Sequence, residues 1–190
     1  MIYLFVIILL LIGIFKYDLS NVGEREKMPL LYFIGFVLFC IAAFRCFNGG
    51  DTLNYYMLFK EMPTVDRING AVLENYRYQP GYIYFVSLLK SFWDNFLIQQ
   101  IVLALIVNIV VFRFVKEYSP YAFFTILVYF LLNYFEFNME IERESVAISL
   151  SLMAYGFWSK KRYLFTVLFV FVAFEFHVSA LIAVLMPFVA

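Results

Sequence analysis

Long apolar runs alternate with short polar connections along most of the chain. Six runs are continuous in apolar residues, at positions 1–15, 29–47, 96–115, 119–135, 145–158 and 163–190. A helix needs about 20 residues to cross a hydrocarbon core of about 30 Å, and these runs are close to that length or a little shorter. The pattern therefore predicts an all-α fold, a polytopic transmembrane helical bundle.

Both ends of the chain are apolar. The first run lacks a basic leader and a small-residue cleavage site, which favours a retained helix over a signal peptide. The last run stops within LIAVLMPFVA, with no polar flank. We therefore expect residues 1–190 to form a single integral membrane domain that is incomplete at its C-terminus.

The longest polar stretch, residues 48–95, has helix signals of its own. It opens with NGGDTLNYYMLFKEM, in which Gly-Gly-Asp places Asp51 at an N-cap position. Further along, YRYQPGYIYF places Pro80 at a first helical position. Both stretches predict short, aromatic-rich amphipathic helices that face outward at the membrane surface.

The composition agrees with a membrane protein. Hydrophobic residues make up 65% of the chain, charged residues 15%, and the mean hydropathy is +0.86, whereas soluble domains have about 25% charged residues. The formal net charge of +0 provides no basic surface for nucleic acid. Cys40 and Cys46 form neither a disulfide framework nor a zinc spacing, and the chain has one histidine. We expect no metal and no cofactor.

Basic residues mark one side of the predicted bundle. They fall between the first and second runs, at the end of the third run, and in SKKR before the last run. Short connections rich in basic residues face the cytoplasm. On this basis the N-terminus, residues 48–95 and the acidic stretch at 136–144 are extracytoplasmic.

Charged residues interrupt the last two apolar runs at nearly equal depth. On either side of SKKR, each arm has 14 or fewer residues before a titratable group, or about 20 Å at ~1.5 Å per residue. Arg143 and Glu144 on one arm, and Glu175 and His177 on the other, therefore lie within the outer leaflet and must face a cavity or each other. We expect the last helix to break or bend near His177, with Ser179 close to the start of a second short helix.

The chain resembles the EpsG family of Wzy-like polysaccharide polymerases in four stretches, in order FRCFNGGDTLNYYMLF, YQPGYIYF, IERESVAISLSLMAY and FEFHVSALI. The resemblance implies a multi-span cell-membrane protein with an extracytoplasmic site. It also implies a glycosyltransferase-type, metal-independent polymerase that joins polyprenyl-diphosphate-linked oligosaccharides in exopolysaccharide or capsule biosynthesis. The implied partners are the lipid-linked glycan donor and acceptor, the bilayer and other polysaccharide export proteins.

The resemblance extends to individual residues. Those that match the family pattern by position are Arg45, Asp51, Tyr55, Arg143 and His177. Two positions depart from the pattern: Gln79 stands where an acid is expected, and Glu144 follows the arginine where an amide is common. A catalytic carboxylate at position 79 is therefore not expected.

The chemistry of these side chains predicts their roles. A planar guanidinium binds diphosphate oxygens in bidentate fashion, so Arg45 and Arg143 are the expected diphosphate ligands. Asp51 is the candidate base toward an acceptor hydroxyl, and His177 would bind the diphosphate or position that hydroxyl. The side chains expected to contact the substrate beyond these are Tyr55, Arg77, Tyr78, Tyr82, Glu144 and Glu175.

The sequence leaves a structural interpretation open for most of these residues. Arg45 could be an interface anchor, Asp51 a helix cap, the tyrosines an aromatic belt, and His177 a packing residue. If residues 136–144 are helical, an acidic stripe forms from Glu136, Glu140 and Glu144. A solvated helix end could explain this stripe.

Two other functions also stay open. A transporter or flippase for lipid-linked glycan would use Glu175 and His177 as a proton relay. Against it, the charges cluster on one side, and none continues a path through the other half of the bundle. A membrane O-acyltransferase would depend on His177 alone.

Overall fold

The computed structural model describes residues 1–20, 23–45 and 50–185. The helices in these residues are α1 (Ile2–Gly13), α2 (Glu24–Ala43), α3 (Thr52–Glu61), α4 (Gly70–Asn75), α5 (Pro80–Phe92), α6 (Leu97–Tyr118), α7 (Ala122–Leu132), α8 (Glu142–Ser159) and α9 (Tyr163–Phe174). Short 3-10 segments cover Val65–Arg67 and Val178–Leu185, and π-helical turns cover Ile14–Asp18 and Glu136–Glu140. These residues contain no strand, so the all-α prediction is confirmed for them. Predictions on Cys46, on residues 47–49 and on residues 186–190 lie outside the described part of the chain.

Among the helices of the described residues, two are long and apolar enough to cross a membrane. They are Arg25–Ala43 within α2 and Leu97–Tyr118, which is α6. The helices α7 and α9 are apolar but shorter. Each of the six predicted runs contains a helix. Two of these helices are long enough to cross a hydrocarbon core as one continuous helix.

The helix α6 is the centre of the bundle. It packs against α2, α5, α7 and α8, while α1 packs against α2 and α7, and α8 and α9 form a hairpin. Its buried side includes Leu103, Val107 and Val111, which recur every four residues and so face one direction. Leu31, Ile34 and Leu38 provide the buried side of α2 at the same helical spacing.

The basic connections gather at one end of this bundle. Lys160, just after α8, lies 2.5 Å from a carboxylate oxygen of Glu117 in the last turn of α6. Lys116 donates a hydrogen bond of 3.3 Å to the hydroxyl of Tyr32, in the first half of α2. Asp18 accepts a 2.9 Å hydrogen bond from the Phe124 amide at the beginning of α7. The ends of α6 and α8 therefore lie together beside the first half of α2, and the residues after α1 contact the beginning of α7.

The last apolar run is broken where the sequence predicts a break. The helix α9 ends at Phe174, and a 3-10 segment begins at Val178, so Ser179 is the second residue of the new segment. The main-chain carbonyl of Glu175 accepts a hydrogen bond of 2.9 Å from the Tyr82 amide of α5. This contact satisfies a carbonyl that a continuous helix would have paired internally.

The expected acidic stripe does not lie on one helix. Glu136–Glu140 is a π-helical turn, and Ile141, at φ −99° and ψ 53°, separates it from α8. The register therefore changes between Glu140 and Glu144. As a result Glu142, at the first position of α8, is the carboxylate that turns into the core, with 1% of its surface exposed.

Candidate functional site

A polar cavity of about 140 Å³ lies at the end of the bundle opposite the basic connections. Three segments meet there: the beginning of α3, the residues before α5, and the first turn of α8. They contribute two guanidinium groups, one carboxylate, one amide and two phenols, from Asp51, Asn54, Tyr55, Arg77, Tyr78 and Arg143. Five of these six residues are candidates from the sequence.

The surroundings of Arg143 fix the plane of its guanidinium. Its Nη1 donates a hydrogen bond of 3.2 Å to Oε1 of Gln79. The guanidinium carbon lies 4.4 Å from the ring centre of Tyr78 and 5.6 Å from that of Tyr82. Aromatic faces attract a guanidinium and orient it, so the group is held before any ligand binds. Gln79 is thus a hydrogen-bond acceptor for Arg143.

Asp51 occupies the N-cap position of α3, but its side chain does not cap the helix. No backbone amide of α3 donates to the carboxylate, because the residue has helical dihedral angles of φ −95° and ψ −5°. Instead Oδ1 accepts a hydrogen bond of 3.1 Å from the side chain of Asn54. The capping interpretation is therefore wrong, and the exposed carboxylate belongs to the cavity wall.

Tyr55 lies on α3, outside the helices that are long and apolar enough to cross a membrane, and is 6% exposed. Burial raises the pKa of its phenol, and the neighbouring Arg143 side chain opposes this shift. The phenol is therefore neutral at pH 7, and it can donate a hydrogen bond to a sugar or phosphate oxygen.

Arg45 is not part of the cavity wall. Its guanidinium forms a buried ion pair with Glu142, in which the two side chains are 2% and 1% exposed. It also donates to the carbonyl of Ala42 at 3.2 Å, and its own carbonyl accepts from Gln100 at 3.3 Å. The expectation that Arg45 faces a ligand as Arg143 does is corrected, as is the interface-anchor interpretation, because the pairing with Glu142 holds the guanidinium inside the bundle.

Glu142 connects Arg45, through hydrogen bonds, to Tyr82 beneath the cavity. Its second carboxylate oxygen accepts a hydrogen bond of 3.0 Å from Gln99 of α6. The same Gln99 nitrogen lies 3.2 Å from the hydroxyl of Tyr82. Tyr82 is fully buried, so it supports Arg143 from below and does not line the cavity. The belt interpretation is therefore wrong for this tyrosine.

Glu175 and His177 make separate contacts at the break after α9. The Glu175 carboxylate accepts a hydrogen bond of 3.0 Å from the Gly81 amide in the first turn of α5. His177 Nδ1 lies 2.7 Å from the Ser179 hydroxyl and accepts from the Ser179 amide at 3.3 Å. Both contacts suit an unprotonated Nδ1, which leaves the ring proton on Nε2. The contacts with Ser179 therefore favour the Nε2–H tautomer.

Besides Arg45 and Tyr82, three further candidates from the sequence do not line the cavity as expected. His177 and Glu175 are half-buried beside α5 and are absent from the cavity wall, as is half-buried Glu144. Among the described residues, no group of three or more His, Cys, Asp or Glu side chains is placed to hold a metal ion.

Sequence reasoning missed Glu142, Gln99 and Asn54. Glu142 had one signal in the sequence, a carboxylate next to an arginine at the start of an apolar helix. The two amides had no signal, because an amide on an apolar helix is compatible with many roles.

Comparison with known proteins gives one match. The model of the EpsG family matches residues 28–190, which include every residue of the cavity and of the network beneath it. Neither the curated proteins nor the solved structures contain a match to this chain.

Proposed function

The chain belongs to the EpsG family, and from this premise we propose that it polymerises polyprenyl-diphosphate-linked oligosaccharides on the outer face of the cytoplasmic membrane. Membership makes it a membrane protein of polysaccharide biosynthesis. The finer proposal is a metal-independent, glycosyltransferase-type reaction in the formation of exopolysaccharide or capsule. The growing glycan would pass from one lipid carrier to the next repeat unit.

The observation that carries this proposal is the composition of the cavity. Arg77 and Arg143 supply two cations beside Asp51, within a small space bordered by the phenols of Tyr55 and Tyr78. Two guanidiniums suit a diphosphate, because each can donate two parallel charge-assisted hydrogen bonds to phosphate oxygens. Phenols and the Asn54 amide suit the hydroxyl groups of a sugar.

The proposed reaction is a displacement at the anomeric carbon of the donor glycan. An acceptor hydroxyl oxygen forms the new bond to this carbon, and the bond from the carbon to the diphosphate oxygen breaks. Asp51 accepts the hydroxyl proton, and polyprenyl diphosphate leaves with the bonding electron pair. Arg143 and Arg77 stabilise the negative charge that develops on the leaving diphosphate.

Two residues act from outside the cavity in this proposal. Arg45 holds Glu142, the neighbour of Arg143, and so positions the guanidinium without touching the substrate. His177, with Nδ1 bonded to Ser179, would donate a hydrogen bond from Nε2 to a part of the lipid-linked substrate that extends beyond the cavity.

The outer-face assignment follows from charge. The basic connections lie at one end of the bundle and the cavity at the other. Because short basic connections favour the cytoplasm, the cavity would open to the extracytoplasmic side.

The test is complementation of a deletion strain with Arg143 variants. Arg143→Ala and Arg143→Lys should both lower polymer output by roughly 100-fold or more at normal protein abundance, because one ammonium cannot replace the oriented fork. Arg67→Ala is the matched control, since the Arg67 side chain is 79% exposed and pairs with exposed Asp66. Lipid-linked single repeat units should accumulate on the outer face.

Full output from Arg143→Lys would contradict the proposed role of the guanidinium. Repeat units trapped in the cytoplasmic leaflet of the deletion strain would contradict the polymerase proposal itself and favour a flippase.

A further inference from the structure

A second cavity, an apolar groove of about 480 Å³, lies between α2 and α6. Its walls include Gly35, Phe36 and Phe39 from α2, and Leu105, Ile109 and Phe112 from α6. A Cβ atom at position 35 would lie 3.1 Å from the Phe112 ring, so the ring packs directly against the backbone of α2. The volume is within the range of about 300–1,000 Å³ that is typical of small-molecule sites.

One end of the groove is basic. Arg113 and Lys116 line it there, one turn apart on α6. Lys116 contacts the hydroxyl and the ring face of Tyr32, with its nitrogen 3.3 Å from the hydroxyl oxygen. Within the described residues, the exposed Arg113 guanidinium makes no hydrogen bond, and the nearby Glu117 carboxylate, with which it interacts electrostatically, is paired with Lys160. An apolar groove with two cations at its end is complementary to an amphiphile that has a negative head.

The position of these cations identifies the leaflet. Arg113 lies about 20 Å along α6 from Gln99, which belongs to the network beneath the polar cavity. A ligand whose phosphate binds at Arg113 therefore cannot place that phosphate in the polar cavity. The groove is thus separate from the site proposed for the lipid-linked donor.

We propose that this groove binds an anionic phospholipid of the leaflet opposite the polar cavity. One acyl chain lies between α2 and α6, and the phosphate binds between Arg113, Lys116 and the Tyr32 hydroxyl. Each basic side chain near a membrane surface increases the binding affinity for an anionic lipid by about a factor of five, whereas the affinity for a zwitterionic lipid does not increase. The proposal does not depend on the polymerase reaction.

The test is native mass spectrometry of the protein in a neutral detergent. Phosphatidylglycerol and phosphatidylcholine with identical acyl chains are titrated, and phosphatidylglycerol should bind at least tenfold more tightly. The double variant Arg113→Gln/Lys116→Gln should lose about 30-fold in affinity for phosphatidylglycerol. The matched control, Lys161→Gln/Arg162→Gln, removes two exposed charges that do not line the groove and should bind as the wild type does.

A second variant separates the groove from the charge. Ile109→Trp fills the groove at an exposed wall residue, keeps both cations, and should also weaken phosphatidylglycerol binding. Equal binding of the two lipids, an equal loss in the control, or unchanged binding by Ile109→Trp would each overturn the proposal. The proposal would also be overturned if the wild-type protein is a dimer and Ile109→Trp dissociates it, because the groove would then be an interface between two copies of the chain.

Discussion

Replacing Arg45 by methionine tests the buried ion pair most directly. The change keeps an unbranched side chain of similar length and removes the positive charge from Glu142. Both side chains of the pair are at most 2% exposed, so the carboxylate cannot compensate by turning to water. Breaking a buried pair by removing one partner costs about 3–5 kcal/mol, whereas an exposed pair contributes about 0–1 kcal/mol.

The expected loss lies at the lower end of that range, about 3 kcal/mol, because Gln99 still donates a hydrogen bond to the carboxylate. For a chain of 190 residues, a loss of 1 kcal/mol lowers Tm by about 2–4 °C, so Tm should fall by roughly 6–12 °C. The measurement is thermal unfolding in neutral detergent, followed by the fluorescence of the two tryptophans. Arg67→Met is the control for an exposed pair and should change Tm by less than about 4 °C.

The double variant Arg45→Met/Glu142→Gln completes the experiment. It removes the unpaired charge and leaves an amide that can still bond to Gln99, so it should recover most of the lost stability. A double variant that is no more stable than Arg45→Met would refute the buried-pair reasoning. If Arg45→Met instead keeps its Tm and abundance but makes no polymer, Arg45 acts on the substrate and is not a positioning residue.

Three further predictions concern other parts of the chain. Gly81→Ala should lower Tm by several degrees in the same unfolding assay, because a Cβ atom at position 81 would lie 2.4 Å from Cβ of Glu175 at the end of α9. Gly70→Ala is the control, because no atom lies within 4 Å of a Cβ atom at that position. Equal Tm values for the two variants would refute the close contact. Single cysteines should react with an impermeant reagent in intact cells at exposed Lys60 but not at exposed Lys161; labelling at Lys161 alone would invert the topology. His177→Phe should lower polymer output by roughly tenfold or more at normal abundance, and a wild-type rate would make the histidine a packing residue.

The sequence predicts the helices well where the signal is local. Each apolar run contains a helix, α5 begins at Pro80, and the last run breaks after Phe174. These features depend on the length of a run, on the fixed φ angle of proline, and on the cost of charged residues at membrane depth. All three can be evaluated from neighbouring residues, without knowledge of what packs against them.

The candidate site is less predictable, because its arrangement depends on distant partners. Arg45 and Glu142 are 97 positions apart, and only the packing of α2, α6 and α8 brings them together. The π-helical turn before α8 changes the register of the acidic residues, and no local signal in 136–140 indicates it. Asp51 has the sequence context of a helix cap, yet helical dihedral angles turn its carboxylate toward Asn54.

The contact between Gly81 and Glu175 has an evolutionary consequence. The carboxylate and the carbonyl of Glu175 both accept hydrogen bonds from the first turn of α5, and this requires a hydrogen atom in place of a side chain at position 81. The glycine and the end of α9 therefore cannot change independently. Among related chains, the two positions should be inherited as a pair: where the glycine is replaced, the helix before the break should end at a different residue.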